Sequence, residues 1–273
     1  MTQDELKKYN FNFNKNFGQN FIFDQNLLSA IVKDAQVDGC NVLEIGPGAG
    51  GLTSHLCEVA NKVVAYEIDT NLQDILHDNL AKYNNVQVIF QDIMKADIKD
   101  IESHFDGNYT VVANLPYYIT TPIIFKFMEQ ATKLDKLVIM VQYEVAERLV
   151  AKHNTENYGA ITVALGTVAD VAITRKVGRK NFVPMPNVDS AIVTITLNKS
   201  KYNIKDIEVL RKLIRSAFAM RRKILANNLK KDFKLNTEQI SKVFGMCGIQ
   251  PNIRGEALDC AQFVQLSNAI ACI

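Results

Sequence analysis

The sequence lacks the features that mark secreted, membrane-spanning or zinc-binding proteins. Its five cysteines are scattered, odd in number and without a Cys-x-x-Cys pair, which disfavours both a disulfide framework and a zinc site. It contains no apolar run of about 18 residues, and its first residues lack the apolar stretch of a secretory signal. We therefore expect a cytoplasmic protein with reduced thiols, no membrane span and no bound metal.

Apolar residues and a localised positive charge are what the sequence does have. Of its 273 residues, 48% are hydrophobic, which is enough for a large core. The net charge is only +2, yet residues 200–231 contain ten Lys or Arg and two acidic residues. Such a segment suggests a polyanionic partner, although the solvated face of a helix would have the same composition.

The first part of the chain alternates short apolar runs with helix-length connections. Strands are predicted at residues 41–45, 62–67, 86–90, 110–114 and 134–141. This spacing indicates right-handed βαβ units and a parallel sheet covered by helices on both faces. Three further strand-like runs at 161–165, 171–177 and 191–197 have little room for helices between them and could add antiparallel edge strands.

The pattern becomes helical after residue 198. Helices are predicted at about 205–219, 222–231, 237–244 and 255–270. We therefore predict an α/β domain over residues 1–199 and a small, all-helical domain over residues 200–273.

A glycine-rich turn follows the first of these strands. Residues 44–51 read Glu-Ile-Gly-Pro-Gly-Ala-Gly-Gly and open a helix, so the backbone can approach a ligand closely. Glu67 ends the second strand, 19 residues after Gly48, where a carboxylate can accept hydrogen bonds from ribose hydroxyls. These residues predict a nucleoside-containing cofactor, and by themselves they fit NAD as well as S-adenosylmethionine.

Two more strand ends carry polar groups. Asp92 follows the third strand, where it could accept a hydrogen bond from an adenine amine or simply cap a turn. The fourth strand ends in Asn114-Leu115-Pro116-Tyr117. The Asn114 amide oxygen and the Leu115 carbonyl, held by the rigid Pro116, can both accept from an adenine amino group, and Tyr117 offers a face for a flipped base.

These motifs together resemble the ribosomal RNA adenine N6,N6-dimethyltransferase family. Four other segments resemble family motifs in the same order, at residues 17–21, 182–190, 217–223 and 254–258. The resemblance implies a Rossmann-like class I methyltransferase domain, with S-adenosylmethionine as cofactor, followed by a helical RNA-binding domain. It covers residues from about 15 to about 270 and leaves the NAD-dependent dehydrogenase alternative with no account of the Asn-Leu-Pro-Tyr string.

The resemblance also implies roles for particular residues. Cofactor binding is implied for Asn20, the backbone of Ile22, Gly46, Gly48, Glu67, Asp92 and Asn114. Positioning of the target adenine is implied for Asn114, Leu115, Pro116 and Tyr117, with Phe182 stacking on the other side of the flipped base. Core packing is the alternative for Phe182. RNA phosphates are expected to contact Arg221, Arg222 and Lys223, in a segment that resembles a helical one in the family.

Two branches of the family and one non-catalytic alternative remain in competition. The KsgA-type branch modifies small-subunit rRNA during ribosome maturation, whereas the Erm type modifies large-subunit rRNA and confers macrolide resistance. Leu115, the Pro184-x-Pro186 loop and the Arg-Arg-Lys segment favour the first. We expect a monomer that acts on rRNA in an immature 30S particle. A ribosome assembly factor without catalysis is disfavoured by the intact Glu67, Asp92 and Asn114.

Phenylalanines are densely spaced near the start of the chain. They occupy positions 11, 13, 17, 21 and 23. Either a folding-over lid on the cofactor or hydrophobic anchoring of the N-terminal segment would account for them.

Overall fold

A computed structural model describes residues 6, 8, 9, 11, 13 and 18–273. Phe17, the first residue of one family-like motif, lies outside the described residues. The chain forms two compact units, the first comprising Met1–Ala146 and Ala172–Thr196, the second Glu147–Val171 and Leu197–Ile273. This grouping places residues 147–171 with the helical unit, whereas the sequence analysis placed them in the first domain.

A seven-stranded sheet forms the first unit. The strands of this protein are β1 Phe21–Ile22, β2 Asn41–Ile45, β3 Lys62–Glu67, β4 Val86–Phe90, β5 Tyr109–Asn114, β6 Leu134–Gln142, β7 Ala169–Val177, β8 Phe182–Val183 and β9 Ser190–Leu197. The order in the large sheet is β4-β3-β2-β5-β6-β9-β7. Strands β2 to β6 pair in parallel, as the sequence predicted. Strand β9 is antiparallel to β6, but it lies inside the sheet and not at its edge.

The central strands are buried on both faces, which is why they read as continuous apolar runs. Val42 and Leu43 on β2, and Val63 and Val64 on β3, have no exposed surface. Helices cover this sheet: α1 Gln25–Ala35, α2 Gly51–Cys57, α3 Gln73–Leu80, α4 Ile98–Ser103, α5 Thr120–Gln130 and α6 Tyr143–Leu149. A separate pair, β1 and β8, is antiparallel, with Phe21 opposite Val183 and Ile22 opposite Phe182.

Helices build the second unit: α7 Ala160–Gly166, α8 Ile207–Ala219, α9 Leu225–Asp232, α10 Thr237–Cys247 and α11 Cys260–Ile270. Leu213, Leu229, Val243 and Phe263 meet in its core. Side-chain caps fix where these helices start; Asp206, for example, accepts from the backbone of residues 208 and 209 at the start of α8. The four helices predicted after residue 198 are present, and the last prediction covers a short 3-10 turn followed by α11.

The prediction of a strand at residues 161–165 is wrong, because this segment is helix α7. Thr162 bonds back to the backbone N–H of Gly159 and to the carbonyl of Arg148, which starts the helix. A short run of β-branched and apolar residues does not by itself distinguish a strand from one buried face of a helix. In the part of the chain that the structure describes, no helix has the length and apolarity needed to cross a membrane.

Candidate active site

A cavity of about 190 Å³ lies at the carboxyl ends of the parallel strands in the first unit. Strands β3 and β4 lie on one side of β2 in the sheet, and β5 lies on the other side. This reversal is the topological switch point at which open α/β sheets bind ligands. The wall of this cavity, here called the main cavity, consists of residues 18–21, 45, 46, 48, 66–68, 91–94 and 114–119.

The glycine turn forms one side of the main cavity. Gly46, Gly48 and Gly50 have φ values of +70°, +56° and +81°, a region that L side chains rarely adopt. A Cβ on Gly46 would meet no atom within 4 Å, whereas a Cβ on Gly48 would lie 2.8 Å from the Phe21 ring. The turn therefore leaves open backbone at Gly46 and a close approach of Phe21 at Gly48.

Glu67 lies at the end of β3 and is held by backbone donors. Its carboxylate accepts from the N–H groups of Gly48 at 3.1 Å and of Ile68 and Asp69 at 2.8 Å each. Burial raises the pKa of Glu67, and these three hydrogen bonds offset part of that rise. The result is a fixed acceptor in the cavity wall, at the strand end where the sequence predicted an acidic residue.

Glu44 is a second buried acid beside the glycine turn, and no sequence pattern assigned it a role. Desolvation by burial raises its pKa to about 8, and the negative charge of Glu67 adds to the rise. Oε2 of Glu44 and Oγ1 of Thr53 have no hydrogen-bond partner within the described chain. Glu44 lines a smaller cavity of about 40 Å³, together with Ile22 and Asn114 among others.

Asp92 closes a turn and also lines the main cavity. Its Oδ1 accepts from the backbone N–H of Met94 at 2.9 Å, and its carbonyl accepts from the N–H groups of Lys95 and Ala96. Its place in the cavity wall leaves the carboxylate beside the space that a ligand would occupy.

Asn114 connects the end of β5 with the segment before β1. Its Nδ2 donates to the carbonyl of Asn20 at 2.8 Å, and Asn20 in turn donates from Nδ2 to the carbonyl of Gly18. This hydrogen bond fixes the orientation of the Asn114 amide. Its Oδ1, the acceptor atom of the side chain, can then accept a hydrogen bond from a ligand.

Tyr117 is fixed by a residue that sequence reasoning missed. Its hydroxyl shares a 2.9 Å hydrogen bond with Oγ of Ser190, which is fully buried at the start of β9. Ser190 is the last residue of the family-like segment 182–190, so a long-range contact joins two motifs that the sequence only placed in order. Burial raises the pKa of Tyr117, so the phenol stays protonated near neutral pH. Tyr118 also lines the main cavity and is 62% exposed.

Phe182 does not reach the main cavity. It is 2% exposed and packs in the core with Ile22, Leu28 and Ile192, so the core-packing alternative describes its position. Ile22 likewise lies outside the main cavity and lines only the smaller one. Their backbones pair between β1 and β8, and this pairing positions the neighbouring Asn20 and Phe21 in the cavity wall.

The described N-terminal phenylalanines form one aromatic cluster. Phe11 and Phe13 pack edge to face at 5.6 Å, and both contact the Phe21 ring, which lies 6.4 Å from Phe23. They pack beside the buried Leu72, Leu76 and Leu80 of the first unit. This packing corresponds to the hydrophobic anchoring of the N-terminal segment. Phe21 belongs both to this cluster and to the cavity wall, so anchoring the segment and covering the site involve the same side chain.

The predicted RNA-binding residues lie in the second unit, on a turn and not on a helix. Helix α8 ends at Ala219, and residues 220–224, here called the basic turn, lead to α9. Lys223 N–H donates to the carbonyl of Met220 within this turn. Arg221, Arg222 and Lys223 are all exposed, and Arg221 is in addition ion-paired with Glu256.

These features fit S-adenosylmethionine. The open glycine turn suits close backbone contact, Glu67 is a fixed acceptor for hydroxyls, and Asn114 presents an amide oxygen at the end of β5. None of the four histidines, all within the described chain, lines the main cavity. Fold and site together define a Rossmann-like methyltransferase domain with a helical second unit.

Comparison with known proteins specifies the family. The family model for ribosomal RNA adenine dimethylases matches residues 10–271. The chain is 44% identical to ribosomal RNA small subunit methyltransferase A of Geobacillus thermodenitrificans over 98% of this chain and 94% of that protein. It is 41% identical to the protein of that name in Clostridioides difficile, again over 98% of this chain and 94% of that protein. The chain therefore belongs to the ribosomal RNA adenine dimethylase family, and its cofactor is S-adenosylmethionine.

Solved structures agree with this assignment. A dimethyladenosine transferase from Plasmodium falciparum superposes with a TM-score of 0.76 at 26% identity, covering 90% of this chain and 95% of that chain. The 23S rRNA methyltransferase ErmE superposes with a TM-score of 0.73 at 24% identity, covering 92% of this chain and all of that chain. The second likeness concerns the fold alone.

Proposed function

We propose that this protein dimethylates N6 of two adjacent adenosines in a hairpin of small-subunit rRNA during ribosome biogenesis in the cytoplasm. Curated relatives at 41–44% identity over 98–99% of the chain, named small-subunit rRNA methyltransferases, support the choice of subunit. The observation that carries the reaction is the Asn114 amide, oriented by Asn20 at the strand end beside Glu67. An immature 30S particle is the proposed substrate, and a monomer the proposed acting form.

Cofactor binding is proposed to use the groups fixed around the main cavity. Glu67 accepts hydrogen bonds from the ribose hydroxyls. Asp92 accepts a hydrogen bond from the adenine amine at Oδ2, since the backbone N–H of Met94 already donates to its Oδ1. Gly46 leaves its backbone open to the ligand, Gly48 holds Glu67 through its N–H, and Asn20 lies beside the methionine end. The bound cofactor supplies a methyl group on a sulfonium centre.

The target amine is proposed to be held between Asn114 and Leu115. Oδ1 of Asn114 and the carbonyl of Leu115, before Pro116, accept hydrogen bonds from the two N–H groups of this amine. They also stabilise the positive charge that develops on its nitrogen. Each transfer forms one N–C bond, breaks one S–C bond and releases one N6 proton to water. Two transfers therefore replace both hydrogens, and positioning and exclusion of water account for the rate.

Aromatic contacts to the flipped base are proposed for Tyr117 and Tyr118. Tyr117 is held by Ser190, and Tyr118 exposes its ring beside the cavity. Stacking on Phe182 is left out of the proposal, because that ring is buried in the core. The basic segment of the second unit is proposed to contact phosphates, so RNA binding should weaken steeply as salt rises.

Transfer of labelled methyl groups to ribosomal particles tests the proposal. The substrates are immature 30S subunits that lack adenine dimethylation, with 50S subunits alongside and Asn114→Ala as the inactive control. We expect N6,N6-dimethyladenosine in the 30S RNA alone, and none with the variant. Label in 50S RNA would instead favour the large-subunit branch, and intact cofactor binding without label in either particle would favour a non-catalytic assembly factor.

A further inference from the structure

The segment 254–258, Arg-Gly-Glu-Ala-Leu, has no part in the proposed chemistry, yet it lies against the basic turn of the second unit. Ile253 accepts at its carbonyl from the N–H of Leu225, the first residue of α9. Gly255 approaches α8 so closely that a Cβ there would lie 2.7 Å from Cβ of Ala217 and 2.9 Å from its carbonyl oxygen. The segment is therefore packed against both helices that the basic turn connects.

Glu256 connects this segment to the basic turn itself. Its Oε2 accepts from Nε of Arg221 at 3.2 Å and lies 3.1 Å from Nη2 of the same guanidinium. Both terminal nitrogens of Arg221 also donate to the carbonyl of Glu156 at 3.2 Å. The Glu256 carbonyl accepts from the N–H of Asn154 at 2.9 Å, so the loop that contains Glu156 is tied to the same segment.

The three basic residues of the turn are therefore not equivalent. Nε and both terminal nitrogens of Arg221 are already engaged by protein oxygens. The side chains of Arg222 and Lys223 are exposed and make no hydrogen bond or ion pair within the described chain. Met220 and Ile224 flank them with 44% and 36% of their surface exposed, so the turn presents two free cations between two apolar side chains.

We propose that segment 254–258 braces the basic turn, with Arg221 as a positioning residue and Arg222 and Lys223 as the phosphate contacts. Glu256 and the Glu156 carbonyl hold Arg221 and thereby fix the direction in which the next two side chains leave the backbone. The ligand is an RNA backbone, since two adjacent free cations suit neighbouring phosphates. This inference rests on the proposed function, because it assumes that RNA is the partner.

The variant Glu256→Gln separates a brace from a simple charge effect by the sign of its result. It makes the protein more positive and removes the ion pair with Arg221, while the Glu156 carbonyl still accepts from both terminal nitrogens, so if Arg221 were itself a phosphate contact, RNA would bind more tightly. The brace predicts the opposite, a roughly fivefold weaker affinity for a small-subunit rRNA hairpin, as expected for losing a charge-assisted hydrogen bond at a partly exposed site. Unchanged or tighter binding would overturn the proposal.

The salt dependence of binding then tests which cations contact phosphates. Arg222→Gln with Lys223→Gln should reduce the slope of log affinity against log salt by about two, roughly one for each lost contact. Glu256→Gln should also lower the slope, which a purely long-range charge effect cannot do. Lys234→Gln with Lys242→Gln removes the same charge from exposed positions of the same unit outside the turn and should leave the slope nearly unchanged. Equal slopes for the two double variants would overturn the assignment.

A double-mutant cycle completes the test. If Arg221 acts through Glu256, the double variant Arg221→Gln with Glu256→Gln should lose no more RNA affinity than the single variant that loses more. Additive losses would mean that the two residues act independently and would contradict the brace. Cofactor affinity and thermal stability, measured on every variant, show that the fold is intact. If the wild-type protein neither binds nor methylates rRNA, the proposed function fails. If the wild type does both, but Glu256→Gln binds RNA as tightly as the wild type, only the brace fails.

Discussion

The main cavity and the basic turn hold their polar groups in opposite ways. In the cavity, Glu67 is buried and fixed by three backbone N–H groups, so its position is set by the strand ends themselves. In the basic turn, Arg222 and Lys223 are exposed, and only the neighbouring Arg221 is tied to the rest of the unit. The proposed site for chemistry thus depends on backbone geometry, whereas the proposed site for a polyanion depends on a few surface contacts and on salt.

The largest effect is expected at Asn114. Asn114→Ala should lower kcat for methyl transfer about 10² to 10³-fold, the usual cost of losing one preorganised hydrogen-bonding group in an active site. Single-turnover transfer to 30S subunits measures it. Asn108→Ala makes the same chemical change just before β5, away from the cavity wall, and should leave the rate unchanged. A loss below about tenfold for Asn114→Ala would mean that the amide does not position the target.

Glu44 should make the stability of the ligand-free protein depend on pH. Burial raises its pKa from 4.5 to about 8, so the folded protein binds this proton more tightly than the unfolded chain does. The contribution of Glu44 to the free energy of unfolding is fully present below its ordinary pKa of 4.5 and is lost as the pH rises toward about 8. The loss amounts to about 3 kcal/mol between about pH 5 and pH 8. Glu44→Gln should flatten this part of the profile in urea unfolding at a series of pH values. The exposed Glu58→Gln should not flatten it.

Gly48→Ala should separate backbone strain from contact with Phe21. Gly48 and Gly39 both have positive φ, but only a Cβ on Gly48 meets the Phe21 ring. Each alanine should cost about 1 kcal/mol of stability for its left-handed backbone. Gly48→Ala alone should weaken cofactor binding, by about tenfold if displacing the ring costs between 1 and 2 kcal/mol. Calorimetric titration with the cofactor measures the difference, and equal affinities would show that Phe21 yields freely.

The smallest effect concerns the bond between Tyr117 and Ser190. Tyr117→Phe and Ser190→Ala should each slow methyl transfer about fivefold, since each removes one hydrogen bond of about 1 kcal/mol. The double variant should be no slower than the slower single variant, because both changes break the same bond. Cofactor affinity should stay constant in all three. Multiplying losses would show that the two residues act separately.

Much of the first unit could be predicted because its signals are local. The buried strands are apolar runs bounded by turns, and the parallel arrangement brings Gly46, Glu67, Asp92 and Asn114 to one edge of the sheet. The helices after residue 198 were also visible from their caps and periodicity. The grouping of residues 147–171 with the helical unit has no local signal, because its two chain segments lie far apart in sequence.

The remaining errors and omissions concern contacts between distant residues. The burial of Phe182 depends on β1 pairing with β8, and the fixing of Tyr117 depends on Ser190, so neither follows from a single segment. The bond between Arg221 and Glu256 likewise joins two motifs whose spacing suggests no contact. Sequence patterns identified the chemical groups, whereas the structure determines which of them are free to act.

The pairing of β1 with β8 has a consequence for the order of folding. Residues Asn20 and Phe21 reach the cavity wall only through partners distant in the chain, and Asn20 meets Asn114 across 94 positions of sequence. Closing such a loop costs more entropy than forming neighbouring βαβ pairs, so the parallel strands should assemble first and this wall last. We therefore expect the chain to acquire its sheet before it acquires cofactor affinity, and competence for methyl transfer to follow the docking of β1.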